Sequence, residues 1–364
     1  MRFDGEMYRR FARGQTLRVG KIDGIRRDSR ASLVTARGVG FEGRTAVNVR
    51  VSDRARISVP ALPPSRTLAV RSADGTPLHT EVFGPPDGYP VVLTHGLVCA
   101  IRAWAHQIAD LATDHRVIAF DHRGHGRSGV PRRGGYTLDH LASDLDAVLE
   151  AALAPNERAV IAGHSMGGIT IAAWSARYRH QVRRRADAVA LINTATGDLV
   201  RKVQVLSVPR ELSWARELLG RGLINTFASV PVPGAVRFPA SKVVAYVAVG
   251  RGTDPEAAGL VYELFAQTPA VGRGGCGRML VDSMRKQHLD LAGLTVPTLV
   301  IGSERDRLTP MSQARKIART APNVVGLVEL TGGHCSMLER PHEVNRHLRG
   351  LVESVSPRSR LISS

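Results

Sequence analysis

Cysteine is scarce in this chain. Its three residues, Cys99, Cys276 and Cys335, are too few and too scattered for a disulfide framework or a zinc site, so reduced thiols in a cytoplasmic protein are the expectation. Lysine is scarcer than the charge suggests: of 50 basic residues only 5 are Lys and 45 are Arg. A formal net charge of +18 and a pI near 11 would by themselves point to nucleic acid or an anionic membrane. So lopsided a ratio, beside abundant Ala, Gly and Val, is what GC-rich codons produce, and no nucleic-acid reader motif accompanies it. Nucleic acid is therefore not an expected partner. Long apolar runs are also missing: none approaches the roughly 18 residues of a membrane-spanning helix. The content, 43% hydrophobic and 23% charged, is that of a globular protein.

The first 60 residues form a separate compositional block, with 14 Arg or Lys against 6 acids. Arg9 and Arg10 in "YRRFARG" match the start of a twin-arginine signal, but no apolar h-region follows, which argues against export by that route. Gly38, Gly40 and Gly43 in "GVGFEG" match a dinucleotide fingerprint, yet the next stretch, "RTAVNVRVSD", alternates like a strand where a helix is required. Three options remain for this block: a flexible basic arm, a small appended β segment, or an upstream translation start that the cell does not use. As an arm it would make weak contact with anionic lipid, placing the protein peripherally at a membrane. "VPALPPSR" reads as a linker, so residues 1–64 are taken as extension and linker.

From Thr67 the chain becomes regular. "TLAVRSADGTPLHTEVFG" is two alternating runs around Asp74-Gly75, a hairpin signal. Apolar strands at "PVVLTHG", "RVIAFDHRG", "RAVIAGHS", "DAVALINTA", "PTLVIGSERD" and "VVGLVELTGGH" alternate with helical stretches such as "TLDHLASDLDAVLEAAL", which predicts an α/β protein with a parallel, doubly wound sheet. Between residues 196 and 292 the strand signal stops and "RELSWARELLGRGLINTFASV", "SKVVAYVAVG" and "DPEAAGLVYELFAQT" read as helices. This is an insertion between two strands. Its Gly-rich piece "VGRGGCGR" (271–278) reads as a mobile loop; the Lys-Ser/Thr ending of a phosphate cradle is absent. The expected organisation is core at 65–195 and 293–355, insertion at 196–292, and a tail at 356–364.

"GHSMGG" carries the chemistry. Gly163, Ser165 and Gly167 form G-x-S-x-G, with an apolar strand before and "GITIAAWSARY", a predicted helix, after; that is the setting of a nucleophile elbow. The plainer alternative is a strand-to-helix turn with Ser165 as N-cap. A serine hydroxyl needs a base, and the base needs a carboxylate to fix its tautomer. In the chain order Ser, acid, His, Asp306 in "IGSERDRLTP" ends one strand and His334 in "LTGGHCSMLERP" follows the next. Asp198 is a second candidate acid. Glu304 is expected to be a surface group, His342 and His347 to be packing or solvated histidines on a terminal helix, and His164 to support the turn. Donors to a developing oxyanion are expected from the amides of Met166 and Leu97, the latter after His95-Gly96.

"THGL", "FDHRGHGRS", "GHSMGG", "VPTLVIGSERD" and "GGHCSMLERP", in this order, resemble the α/β-hydrolase superfamily over about residues 67–355. The resemblance implies an eight-stranded, mostly parallel sheet, with residues 196–292 as a helical cap over the active site and the Asp121-to-Ser128 loop shaping a turn without a catalytic part. It implies Ser165 as nucleophile, Asp306 as acid, His334 as base and Leu97 and Met166 as the oxyanion hole, with neither cofactor nor metal. Serine at 165, where epoxide- and halide-displacing relatives carry aspartate, points to attack on a carbonyl. A small-molecule carboxylic ester, acylglycerol or other lipid esters included, is the expected substrate. Carbon–carbon bond hydrolysis, iminopeptidase and perhydrolase chemistry use the same triad on this fold, and a ligand sensor of low turnover is a further class.

Overall fold

The computed structural model describes residues 58–199, 246–250, 253–284 and 288–356. The basic extension up to residue 57, the helix expected over 210–230, the first half of the one expected over 241–250, and the tail from 357 lie outside the described residues.

Eight strands form one sheet: β1 (Ser65–Arg71), β2 (Pro77–Phe83), β3 (Tyr89–Thr94), β4 (His115–Phe120), β5 (Ala159–His164), β6 (Ala186–Ile192), β7 (Thr298–Ser303) and β8 (Val324–Leu330). Their order across the sheet is β1-β2-β4-β3-β5-β6-β7-β8. The predicted hairpin is β1 and β2, antiparallel with Leu68 opposite Thr80, and turning at Asp74-Gly75, where Gly75 adopts φ 82°. β2 also runs antiparallel to β4; every later pairing is parallel.

Alternation along the parallel strands builds two cores, because successive side chains leave a strand on opposite faces. Val91, Leu93, Val160, Ala162, Ala190 and Ile301 fall in one buried cluster, Val92, Ile161, Val189, Leu191 and Val300 in the other. Helices α1 (Ala105–Leu111) and α9 (Pro341–Val355) contribute to the first face. The second is covered by α2 (Leu138–Ala152), α3 (Met166–Arg177), α4 (Arg179–Arg185) and α7 (Met311–Thr320). In α2 the reason for the helix is local: Thr137 caps its start by accepting a hydrogen bond from the His140 amide, and Leu141, Leu145, Val148 and Leu149 recur on one buried stripe.

The insertion contributes α5 (Pro255–Gln267) and α6 (Ala270–Ser283) among the described residues. Asp254 caps α5 through the Glu256 amide, with Pro255 in the first turn. Residues 271–278, expected to be a mobile loop, lie within α6 instead. Glycine's low helix propensity is overridden by packing: Gly272 sits so close to the Gly124 backbone that a Cβ would strike its carbonyl, and Gly275 lies against the Tyr136 ring. The neck of the insertion is closed by two backbone hydrogen bonds, from the Leu289 amide to the Thr196 carbonyl at 2.7 Å and from the Leu199 amide to the Met284 carbonyl at 3.1 Å. Residues 58–64, read as a linker, are held to the core: Val59 and Leu62 pack on the first face, and the Val59 amide donates to Glu256 Oε1. The short helix α8 (Ser336–Glu339) precedes α9. Among the described residues no helix is long and apolar enough to cross a membrane.

Candidate active site

In a parallel sheet the carboxyl ends of the strands gather on one edge, where ligands bind. β5 ends there at His164, and Ser165 occupies the sharp turn into α3 with φ 52° and ψ −117°. For a residue with a side chain that is a strained conformation, of order 1–3 kcal/mol, and the surroundings enforce it. The Ser165 amide donates to the Ile192 carbonyl of β6, its carbonyl accepts from Thr194 Oγ1, and Gly167 lets α3 approach β3 so closely that a Cβ there would strike the Thr94 carbonyl oxygen. Ser165 stands at the N-cap position but its hydroxyl caps nothing. The hydroxyl lies instead 2.8 Å from His334 Nε2.

His334, after β8, and Asp306, after β7, complete the relay. His334 Nδ1 lies 2.9 Å from Asp306 Oδ2, and with the Nδ1 proton on that bond, Nε2 is left with the lone pair that accepts from Ser165. Asp306 is itself buried and oriented by the chain around it. Its Oδ1 accepts from the amides of Leu308 and Thr309, and its Oδ2 from Thr309 Oγ1 and Asn193 Nδ2. Burial alone would raise the Asp306 carboxyl; the adjacent His334 and the bonds from His334 and Thr309 outweigh it and hold it below the usual carboxylate range.

His164 supports the turn as expected: its Nε2 donates to the His334 carbonyl at 2.9 Å, tying elbow to base loop. Burial, with His334 beside it, pushes this imidazole down to about 3. The loop after β3 borders the serine, since a Cβ on Gly96 would lie 3.1 Å from that of Ser165. That loop is braced from beneath. His95 Nδ1 donates to the Gly96 carbonyl and its Nε2 accepts from the His122 amide, while Asp121 accepts from the amides of Ile101 and Arg127. The Asp121-to-Ser128 loop thus shapes the turn at the site. Leu97 follows Gly96, next to Val98 with φ 55°, and Met166 is the first residue of α3, where amides have no partner within the helix. Met166 and Ile169 are buried with Cys276, Met279 and Leu280 of α6, and Leu97 packs on the same cluster.

The remaining candidates separate cleanly. Asp198 pairs with His288 at 3.1 Å, outside the relay. Glu304 is exposed, and His342 and His347 lie on α9. All three cysteines are free and buried, and no group of three or more His, Cys, Asp or Glu among the described residues could hold a metal. Asn193 and Thr309, which orient Asp306, escaped the sequence reading. Each lies inside a stretch already recognised, Asn193 in "DAVALINTA" and Thr309 in "IGSERDRLTP", but their role arises from contacts across the fold.

A family model described as the alpha/beta hydrolase fold matches residues 89–341. Among curated proteins, a putative carbamate hydrolase RutD of Variovorax paradoxus (strain S110) is 27% identical over 283 residues, 77% of this chain and 97% of that protein. A non-heme chloroperoxidase of Burkholderia pyrrocinia is 29% identical over 252 residues, 67% of this chain and 84% of its own length. Among solved structures, the enol-lactonase from Burkholderia xenovorans LB400 aligns with a TM-score of 0.60 at 25% identity, covering 80% of this chain and all of that one.

Proposed function

The chain belongs to the alpha/beta hydrolase fold family, and from that premise we propose that it hydrolyses carboxylic esters through an acyl-serine intermediate. The observation that carries this reading is the unbroken hydrogen-bonded series Ser165 Oγ, His334 Nε2, His334 Nδ1, Asp306 Oδ2 at the carboxyl edge of the sheet.

In this mechanism Ser165 Oγ attacks the ester carbonyl carbon while its proton passes to His334 Nε2. Asp306 stabilises the imidazolium that results and holds the ring in the productive tautomer. The negative charge on the carbonyl oxygen is met by the amides of Leu97 and Met166; in a well-studied case one such donor is worth about 2.7–4 kcal/mol. His334 then gives the proton to the departing alkoxide, water takes the alcohol's place, and the second half repeats the first in reverse. Two relatives bear names consistent with acyl chemistry: a lactone is an internal ester, and a carbamate carries the same carbonyl flanked by oxygen and nitrogen. Under the same proposal the substrate is an ester with an apolar acyl group, lipid esters included, because α6 brings the apolar side chains of Cys276, Met279 and Leu280 against Met166 at the elbow.

The test is labelling by a fluorophosphonate together with turnover of p-nitrophenyl esters of graded chain length. Wild-type protein is expected to do both and Ser165→Ala neither, with circular dichroism unchanged. Ester turnover retained in Ser165→Ala would remove the assignment.

A further inference from the structure

Glu339 is a buried carboxylate, 4% exposed, that the relay does not use. Its Oε2 accepts from the Gly333 amide at 2.8 Å and the Gly250 amide at 2.9 Å and shares the Thr253 hydroxyl, 3.0 Å away, with the Gly250 carbonyl at 2.7 Å, and its Oε1 accepts from the Cys335 amide at 3.2 Å. Two of these donors flank His334 on either side. The other two belong to the insertion. The same piece of insertion reaches the base loop a second time, because the Ala248 carbonyl accepts from the amides of His334 and Cys335. It also reaches the acid loop: Arg307, next to Asp306, donates to the Tyr246 carbonyl and lies over the Tyr246 ring at 4.2 Å from its centre. The described residues 246–250 and Thr253 are therefore bonded to both loops that carry the partners of Ser165.

We propose that this part of the insertion is a strap that sets the spacing of Asp306 and His334, and that Glu339 is the positioning residue that fastens it. The inference rests on reading Ser165, His334 and Asp306 as a hydrolytic relay and deepens it. A carboxylate suits the task because it offers two acceptor oxygens and no donor, and here four donors converge on it. Backbone amides bonded to an ionised group make short-range, directional contacts stronger than neutral ones, so the amides on both sides of His334 are held without any contact to the imidazole. The strap thus acts on the base through its backbone.

Glu339→Gln separates positioning from bulk. An amide of the same shape can keep one oxygen toward Gly250, Gly333 and Thr253, but its NH₂ then faces the Cys335 amide, donor against donor, and the residue after His334 must move. Displacement of a catalytic group by about 1 Å can cost on the order of 10²-fold in rate. With full-length protein, kcat for a p-nitrophenyl ester and the rate of fluorophosphonate labelling at Ser165 are expected to fall together by about that factor, with KM within about threefold of wild type. A purely structural role would lower the urea midpoint and leave kcat of the folded fraction unchanged, and that result overturns the proposal. A rise in KM at constant kcat overturns it too, by moving Glu339 to substrate binding. Should Glu339→Gln not fold, Thr253→Ala removes one insertion donor and keeps the carboxylate; kcat is expected to fall by a smaller factor with KM held, and an unchanged kcat overturns the proposal. Wild-type protein that neither labels nor turns over ester would instead refute the hydrolase reading beneath it, whereas an active wild type with an equally active Glu339→Gln refutes the strap alone.

Discussion

Two aspartates competed for one role in the sequence, and only Asp306 lies beside the candidate base. Asp306 is buried against His334 and accepts hydrogen bonds from Asn193 and Thr309 as well, whereas Asp198 faces His288 at φ 53°. Amidation of a triad acid in a well-studied serine protease lowers kcat about 10⁴-fold by spoiling the tautomer of the base. Asp306→Asn is expected to approach that loss in ester turnover. Asp198→Asn should stay within a few-fold of wild type, since asparagine tolerates a positive φ about as well as aspartate and no reacting group touches it. Steady-state kinetics on both variants checks the ranking, and the opposite order would move the acid. Ser165 was legible because its signal is local: a spacing of glycines between a strand and a helix. Asp306 and His334 were legible as strand-end residues in the right order. Glu339 and Asn193 were not, because a carboxylate or amide that orients a loop looks in sequence like any other polar residue until its distant partners are known.

At the scale of elements, the strands could be read because apolar runs bounded by turns have few alternatives in a chain that alternates β and α. The register could not be read, because both faces of the parallel strands are apolar, Val91 and Leu93 toward one core and Val92 toward the other, so a slip of one residue leaves an equally apolar pattern. The misreading at 271–278 has a physical cause. Glycine-rich sequence has poor intrinsic helix propensity, and only the approach of α6 to Gly124 and Tyr136 turns that poverty into a fit. Glycine to alanine should therefore have opposite signs in the two helices of the insertion. Gly259 on α5 is exposed with nothing within 4 Å of a Cβ, so Gly259→Ala should stabilise by about 0.5–1 kcal/mol. Gly272→Ala gains the same propensity but drives a methyl group into the Gly124 carbonyl, and overpacking of this kind typically costs about 1–3 kcal/mol. Thermal melting of the two variants should shift up and down respectively; a stabilised Gly272→Ala would mean that α6 does not press on that loop.

For the molecule as a whole, buried histidines make acid the vulnerable direction. Burial pushes His95 down to about 4 and His125 and His164 down to about 3, and His122 lies well below the ordinary value near 6.5. Once the pH falls below about 6.5 the unfolded chain takes up protons that the folded one refuses, so stability is lost from there until the folded imidazoles titrate. Each such group contributes about 1.4 kcal/mol per pH unit within that window. The lowered Asp306 acts in the same direction, its share being lost as the pH falls through its folded value. The urea midpoint should therefore drop steeply between pH 7 and 5, and a flat profile there would contradict the burial of these rings. The neck of the insertion bears on how such a molecule can change. Because the Leu289 amide bonds to the Thr196 carbonyl and the Leu199 amide to the Met284 carbonyl, β6 and β7 are joined as though by a short loop, whatever hangs beyond. Lengthening a loop costs little, about 0.6 kcal/mol for each doubling. The length of the insertion beyond that neck thus bears little on the register of β6 and β7, and what ties the insertion to the chemistry is the strap together with α5 and α6, which pack on the core and on the elbow.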